Sequence, residues 1–193
     1  VTEYPNWFNG TAKQNFERYL TRYSGKAGFR ALQIGVFTGD ASLWLMENIL
    51  THPFSTLVDV DTWQGSDEGA HHVMDFEDVE RTYDEKLAHY RNRIKYKMTS
   101  EEYFKDVKLG LFDFAYIDGD HTARVTFEDG EAAWYALKPE GILAFDDYTW
   151  GDALADQTLA PKPGIDKFLD RHMGEYDLLE KGAQVWVKKH ADI

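Results

Sequence analysis

The sequence predicts an α/β fold, with mostly parallel strands and helices on both faces of the sheet, ending in an antiparallel hairpin. Three observations predict it. Short apolar runs that end in Gly or Asp alternate with stretches of helical periodicity, the pattern of strand-helix-strand units. Residues 112–117 and 141–145 are almost continuously apolar, as strands buried on both faces are. The last two runs are separated only by Lys181-Gly182-Ala183, too short for a parallel crossover, so that pair must reverse.

In chain order, residues 11–23 place Phe16, Tyr19, Leu20 and Tyr23 on one helix face. Residues 30–34 form a short apolar strand running into Gly35, and residues 40–50 follow as a helix carrying Leu43, Leu45, Met46, Ile49 and Leu50. The unit then repeats: strand 55–60, polar helix 76–91, strand 93–98, short helix 100–107. The strands 112–117 and 141–145 flank a helix over 122–137. After Pro161 and Pro163 come a helix over 165–173 and hairpin strands over 176–180 and 184–188. With no internal repeat or linker, residues 1–193 read as one domain, with residues 1–28 as a helical N-terminal extension.

The 21 basic and 34 acidic side chains give a formal charge of −13, which repels phosphate backbones and anionic lipid. Neither nucleic acid nor membrane is expected as a partner. The absence of cysteine removes disulfides, thiolate metal sites and cysteine nucleophiles together, so a metal would rely on carboxylates or histidine. There is no apolar run of about 18 residues, and residues 1–10 lack a signal pattern; a cytoplasmic protein is expected.

In an open parallel sheet, ligands bind outside the carboxyl ends of the strands. The first such end is the turn from Ile34 to Ser42, where Gly35 and Gly39 allow close backbone approach at a helix N-terminus. The second strand ends in Asp59-Val60-Asp61; alternation puts Asp59 and Asp61 on the same side, so either can accept from ribose hydroxyls, and Asp61, at the tip, is favoured. The third exits into Met98-Thr99-Ser100, where an apolar side chain can cover a purine and a hydroxyl can bond its edge. Ser100 reads equally as a helix N-cap without a capping box.

The fourth and fifth strands end in Asp118-Gly119-Asp120-His121 and Asp146-Asp147-Tyr148. Adjacent parallel strands lie about 4.8 Å apart, so these carboxylates meet at one rim and repel unless a cation joins them. All-oxygen ligands favour Mg²⁺ or another hard divalent ion, Ca²⁺ or Mn²⁺, over zinc. Asp118 and Asp120 read alternatively as caps of the following helix. His121, at the mouth, has the chemistry of a general base near neutrality. The His71-His72 pair lies in a polar loop and reads as solvated or substrate-facing.

Four ordered segments, Ile34 to Ser42, Asp61 to Glu68, Ile117 to His121 and Phe145 to Tyr148, together with Gly182 to Val185, resemble class I S-adenosylmethionine-dependent methyltransferases. The likeness is to the small bacterial metal-dependent O-methyltransferase group (methyltransferase family 24-like). It implies a Rossmann-like, seven-stranded, mostly parallel sheet. It also implies a cofactor site in which Gly35 and Gly39 approach the methionine portion, Asp61 takes the ribose, and Thr99 and Ser100 flank the adenine. Gln33, Ser42 and Asp118 complete that cofactor set, Gln33 standing where the family usually has Glu. Asp118, Asp146 and Asp147 are the metal ligands that the resemblance implies, with His121 as base and Asp118 also part of the catalytic centre.

The expected activity is methyl transfer from S-adenosylmethionine to a hydroxyl of a small molecule, a sugar, catechol or natural product. Its substrate would enter past Trp63, Tyr148, Trp150 and the loop over residues 151–163. A metal enzyme of other chemistry on a related scaffold and a non-catalytic nucleotide-binding module are the alternatives. The N-terminal helix either closes over the cofactor or pairs with a second subunit in a homo-oligomer; the residues do not decide between these.

Overall fold

A computed structural model describes residues 4–66 and 73–191. The His71-His72 loop and the end of the Asp61 to Glu68 segment lie outside the described residues.

Seven strands form one sheet in the order β3-β2-β1-β4-β5-β7-β6: β1 Arg30–Ile34, β2 Thr56–Asp61, β3 Arg93–Lys97, β4 Phe112–Ile117, β5 Leu137–Phe145, β6 Tyr176–Lys181 and β7 Val185–Lys189. The first five are mutually parallel, and β7 alone runs against its neighbours on both sides. The reversed strand therefore lies inside the sheet, between β5 and β6, with β6 at the edge. A hairpin joins β6 and β7 as expected, but the chain tucks its final strand inward.

The helices are α1 Trp7–Thr11, α2 Lys13–Leu20, α3 Asp40–Asn48, α4 Phe76–Lys86, α5 Ser100–Phe104, α6 Ala123–Ala136 and α7 Pro161–Arg171. The leading helix is two pieces meeting at Ala12, with a 3₁₀ turn at Thr21–Tyr23 after α2. It begins earlier than the periodicity of residues 11–23 indicates, because the Asn6 side chain caps α1 by accepting from the Asn9 N–H. Pro161 opens α7 at its first position, where its missing N–H costs nothing.

Period-two alternation splits the core between the two faces. Ala31, Leu57, Phe114, Tyr116 and Trp186 face α2, α3 and α4. Leu32, Val58, Ala115, Leu143 and Val187 face α6 and α7. Phe16 of α2 sits edge-on to Phe114, Tyr116 and Trp186, with ring centroids 5.6, 4.9 and 5.2 Å away, and docks the N-terminal helix on the sheet.

The register positions the site. Ile34 pairs with Val60 on one side and Ile117 on the other, and Ile117 pairs with Phe145. The next residue along each strand, Gly35, Asp61, Asp118 and Asp146, therefore lies on one line across the carboxyl edge. The strand order turns around between β1 and β4, the switch point where such a sheet opens a crevice. Among the described residues, no helix is long and apolar enough to cross a membrane.

Candidate active site

A cavity of about 940 Å³ opens along this edge, lined by residues from the ends of β1, β2, β3, β4 and β5. Its floor at the switch point is Gly35. With φ at +78°, this residue is in the left-handed region, and a Cβ there would stand 1.9 Å from the Asp118 carbonyl oxygen. Only glycine fits so close a backbone approach.

Asp61 ties this turn together. Its Oδ2 accepts from the Val36 and Phe37 N–H groups at 2.6 and 3.0 Å, and its Oδ1 accepts from the Trp63 N–H at 2.7 Å. Trp63 Nε1 donates to the Phe37 carbonyl at 3.0 Å, joining the two loops a second time. Phe37, Trp63 and Asp147 all line the cavity with positive φ, and conformations that L residues adopt at a cost cluster at functional sites.

Gln33, Gly39 and Ser42, expected at the cofactor, are not among the lining residues. They brace the turn from behind. Gln33 is buried; its Nε2 donates to the Gly35 carbonyl at 3.0 Å and its Oε1 accepts from the Ser42 hydroxyl at 3.0 Å. A Glu at this position could not make the first of these bonds. Gly39 caps α3 in the left-handed region, where a Cβ would meet Tyr83 Cδ2 at 2.6 Å.

Thr99 and Ser100 line the cavity beside Met98. Thr99, one residue earlier than expected, is the cap of α5. It has a full capping box: its Oγ1 accepts from the Glu102 N–H at 3.2 Å, and Glu102 accepts from the Thr99 N–H at 3.1 Å. Ser100 is left with its hydroxyl free of capping duty.

At the other end, Asp118, His121 and Asp147 each bring one ligand atom within 4.8 Å of the others. His121 Nε2 lies 3.1 Å from Asp147 Oδ2. Burial, and then the charges of Asp146 and Asp147, push the Asp118 carboxyl well above the usual carboxylate range. This two-carboxylate, one-imidazole set suits a divalent cation, which would relieve that repulsion.

Asp146, expected as a third ligand, is outside this group because its oxygens are engaged elsewhere. Tyr116 donates its hydroxyl to Oδ2; Oδ1 accepts from Gln184 Nε2 at 3.1 Å and from the Asp147 N–H at 2.8 Å. Burial pushes its carboxyl up to about 6. Asp120 accepts from the Thr122 N–H and hydroxyl at 2.7 and 2.5 Å, the local capping alternative. Tyr148 is also placed differently from expectation: it is buried, donates to Asp166 at 2.8 Å and lies under Lys162, away from the cavity. Trp150 does line the mouth, its ring centroid 4.6 Å from that of His121.

Sequence reasoning offered the N-terminal helix as one candidate to close over the cofactor without naming its lining residues, and it missed Asp129 altogether. Trp7, Phe8 and Thr11 of α1 line one wall, with Trp7 packed on Phe37 at a centroid distance of 4.8 Å. Asp129 of α6 lines another and is 5% exposed. Its signal is a carboxylate at helical spacing with the buried Thr126, Gly130 and Ala133.

A family model described as a methyltransferase domain matches residues 32–148, more than half of the chain. The chain belongs to that family. This class I S-adenosylmethionine-dependent methyltransferase matches no curated protein by sequence. Its fold recurs in solved structures of low identity. An O-methyltransferase from Bacillus cereus in complex with SAH is 16% identical, with 98% of this chain and 84% of that one covered at a TM-score of 0.64. The O-methyltransferase TomG from Streptomyces achromogenes, in complex with SAM and involved in tomaymycin synthesis, is 16% identical, with 97% and 82% covered at 0.67. A putative rRNA-methylase from Clostridium thermocellum is 11% identical, with 98% of each chain covered at 0.66. Common to these neighbours and the methyltransferase is the seven-stranded fold; identities this low carry no acceptor from one to another.

Proposed function

We propose that the chain transfers the methyl group of S-adenosylmethionine to a hydroxyl of a small molecule, with a hard divalent ion, Mg²⁺ or similar, at Asp118 and Asp147 and with His121 as base. The observation that carries the reading is the convergence of Asp118, His121 and Asp147 in the same cavity as the Gly35 turn.

In this reading the Gly35 turn and Asp61 accommodate the methionine and ribose portions, and Met98, Thr99 and Ser100 border the adenine. Asp61 has lone pairs left for a ribose after its three backbone bonds. When bound, the cation lowers the pKa of an acceptor hydroxyl and orients it. His121 takes the hydroxyl proton, and Asp147 Oδ2, 3.1 Å from Nε2, stabilises the imidazolium that forms. Trp150, packed on His121, fixes the ring and shields it from water. Trp7, Phe8 and Phe37 offer the acceptor an apolar wall. The formal charge of −13 supports a small acceptor over nucleic acid and a site away from anionic membranes.

The deciding experiment is calorimetric titration with S-adenosylhomocysteine and with Mg²⁺ or Mn²⁺, followed by methyl transfer to a panel of hydroxylated acceptors with and without EDTA. Cofactor binding and EDTA-sensitive transfer are expected. Transfer that is indifferent to EDTA removes the metal from the reading. Metal binding without cofactor binding points to a different metal-dependent chemistry, and cofactor binding with neither metal nor turnover to a binding module. His121→Gln separates base from ligand: a base variant keeps Mn²⁺ affinity and loses turnover, whereas loss of affinity makes His121 a ligand.

A further inference from the structure

Behind the Gly35 turn lies a chain of buried polar side chains: Gln33, Ser42 and Asp59 are each at most 2% exposed. Gln33 Nε2 donates to the Gly35 carbonyl at 3.0 Å, and a carbonyl only accepts, so the amide nitrogen must face it. Gln33 Oε1 therefore faces Ser42, whose hydroxyl donates to it at 3.0 Å. The Ser42 hydroxyl also bonds the Asp59 carboxyl, so it has one hydrogen for two acceptors. An ionised Asp59 draws that hydrogen to itself and leaves Gln33 Oε1 without a donor in a buried site. A protonated Asp59 donates to Ser42 instead, and every group in the chain is satisfied.

The surroundings favour the protonated state. Tyr83 of α4 donates to Asp59 Oδ2 at 2.7 Å and is itself bonded by Arg93 of β3. Lys95, opposite Asp59 in the register of β3, is taken by Glu80 and Asp84 at 2.6 and 2.7 Å. To this carboxyl α3 presents Ser42 and β1 presents Gln33, both uncharged. Burial, opposed by the hydrogen bonds of Tyr83 and Ser42 and the charge of Arg93, raises it to about 7, and Asp61 adds a smaller push. The peptide between Gly35 and Val36 is held at both ends, its carbonyl by Gln33 and its N–H by Asp61 at 2.6 Å. We propose that Asp59 is a positioning residue for the Gly35 turn: protonated, it donates to Ser42, Ser42 donates to Gln33, and Gln33 donates to the Gly35 carbonyl. Two acids on β2 thus do opposite work on one peptide, Asp59 supplying a hydrogen through the relay and Asp61 accepting one directly. Ionisation of Asp59 breaks the relay, loosens the floor of the crevice and weakens cofactor binding. This last coupling rests on the S-adenosylmethionine reading.

The test is calorimetric titration of wild type and Asp59→Asn with S-adenosylhomocysteine from about pH 6 to about pH 8.5. The Asn amide keeps an acceptor for Tyr83 and donates to Ser42 at every pH. The wild-type affinity divided by that of the variant should fall about 3- to 10-fold as pH rises through 7, the worth of one hydrogen bond. Titration of the ligand and of the rest of the protein cancels in this ratio. In a Ser42→Ala background, which lacks the bridge, the same comparison should give a ratio that is flat with pH, whereas a purely electrostatic effect of Asp59 would persist. Thermal unfolding at each pH confirms that the variants are folded; if Asp59→Asn is not, wild type against Ser42→Ala carries the test and should show the same fall. A wild-type ratio indifferent to pH, or a pH dependence that survives in Ser42→Ala, overturns the proposal while leaving cofactor binding intact. Failure of every protein to bind the ligand at any pH overturns the S-adenosylmethionine reading and the proposed coupling together.

Discussion

Gln184 presents its amide nitrogen to Asp146, 3.1 Å from Oδ1, because its amide oxygen already accepts from Asn15 Nδ2 and Trp186 Nε1, each at 2.9 Å. The oxygen cannot turn toward Asp146 without abandoning two donors. This fixes which way the amide points and links the N-terminal helix α2 to the candidate metal centre through one buried side chain.

Gln184→Glu replaces that donor with a second carboxylate against Asp146. Two buried acids without a shared cation repel, so the variant should lose about 2–4 kcal/mol of stability at neutral pH, as for a broken buried polar network. Denaturant unfolding at pH 7 and pH 5 checks this. The deficit should shrink at pH 5, where protonation of one of the two acids restores a donor. A deficit that grows on acidification rules out the repulsion.

Metal affinity should separate Asp146 from Asp147. Asp147 contributes an atom to the three-residue group, whereas Asp146 holds its place from behind through Tyr116 and Gln184. Mn²⁺ titration followed by electron paramagnetic resonance should show Asp118→Ala and Asp147→Ala losing more than about 100-fold in affinity. Asp146→Asn should lose about 10- to 100-fold, the cost of an outer partner that orients a ligand. Equal losses for Asp146 and Asp147 would place Asp146 directly on the metal.

The left-handed glycines give an internally controlled series. Gly28 has φ +72° with nothing within 4 Å of its Cβ position, so Gly28→Ala should cost only the backbone strain, about 1–2 kcal/mol. Gly35→Ala adds a clash with the Asp118 carbonyl, a backbone atom that cannot step aside. It should cost several times as much and abolish S-adenosylhomocysteine binding, which Gly28→Ala leaves unchanged. Thermal unfolding and calorimetry on both variants check the contrast.

The strands were legible because burial on both faces leaves an unmistakable composition: β1 and β4 have the limits that their apolar runs indicate. The line of strand-end residues was legible for the same reason, since each apolar run ends where the sheet ends. What the sequence concealed depends on partners distant in the chain. Tyr116 and Gln184 lie 30 and 38 residues from Asp146, and no local pattern announces that they take its oxygens. Tyr148 is an aromatic beside an acid pair, indistinguishable by spacing from a substrate wall until Asp166 is found to hold its hydroxyl. The capping box of α5 shows the opposite failing: its Thr and Glu are local, but taking Ser100 as the cap hides the box that Thr99 forms with Glu102.

Asp59 supplies the pH dependence. It is fully buried in β2, where the Tyr83 hydroxyl donates to its Oδ2 at 2.7 Å. Burial raises its carboxyl to about 7, against the counteracting hydrogen bonds of Tyr83 and Ser42 and the charge of Arg93; Asp61 adds a smaller upward push. A carboxyl whose pKa is raised by folding holds its proton more tightly in the native state, so unfolding releases protons between the unfolded value, near 4, and 7. Its contribution to stability is thus fully present below about pH 4 and is lost as pH rises through 7. Asp59→Asn keeps an acceptor for Tyr83 and carries no charge to desolvate. The variant should melt higher than the wild type at pH 8, by about 2–4 °C for each kcal/mol recovered, and the gap should close toward pH 5. Thermal unfolding across that range decides it: a gap that widens on acidification would mean that Asp59 is held ionised in the fold.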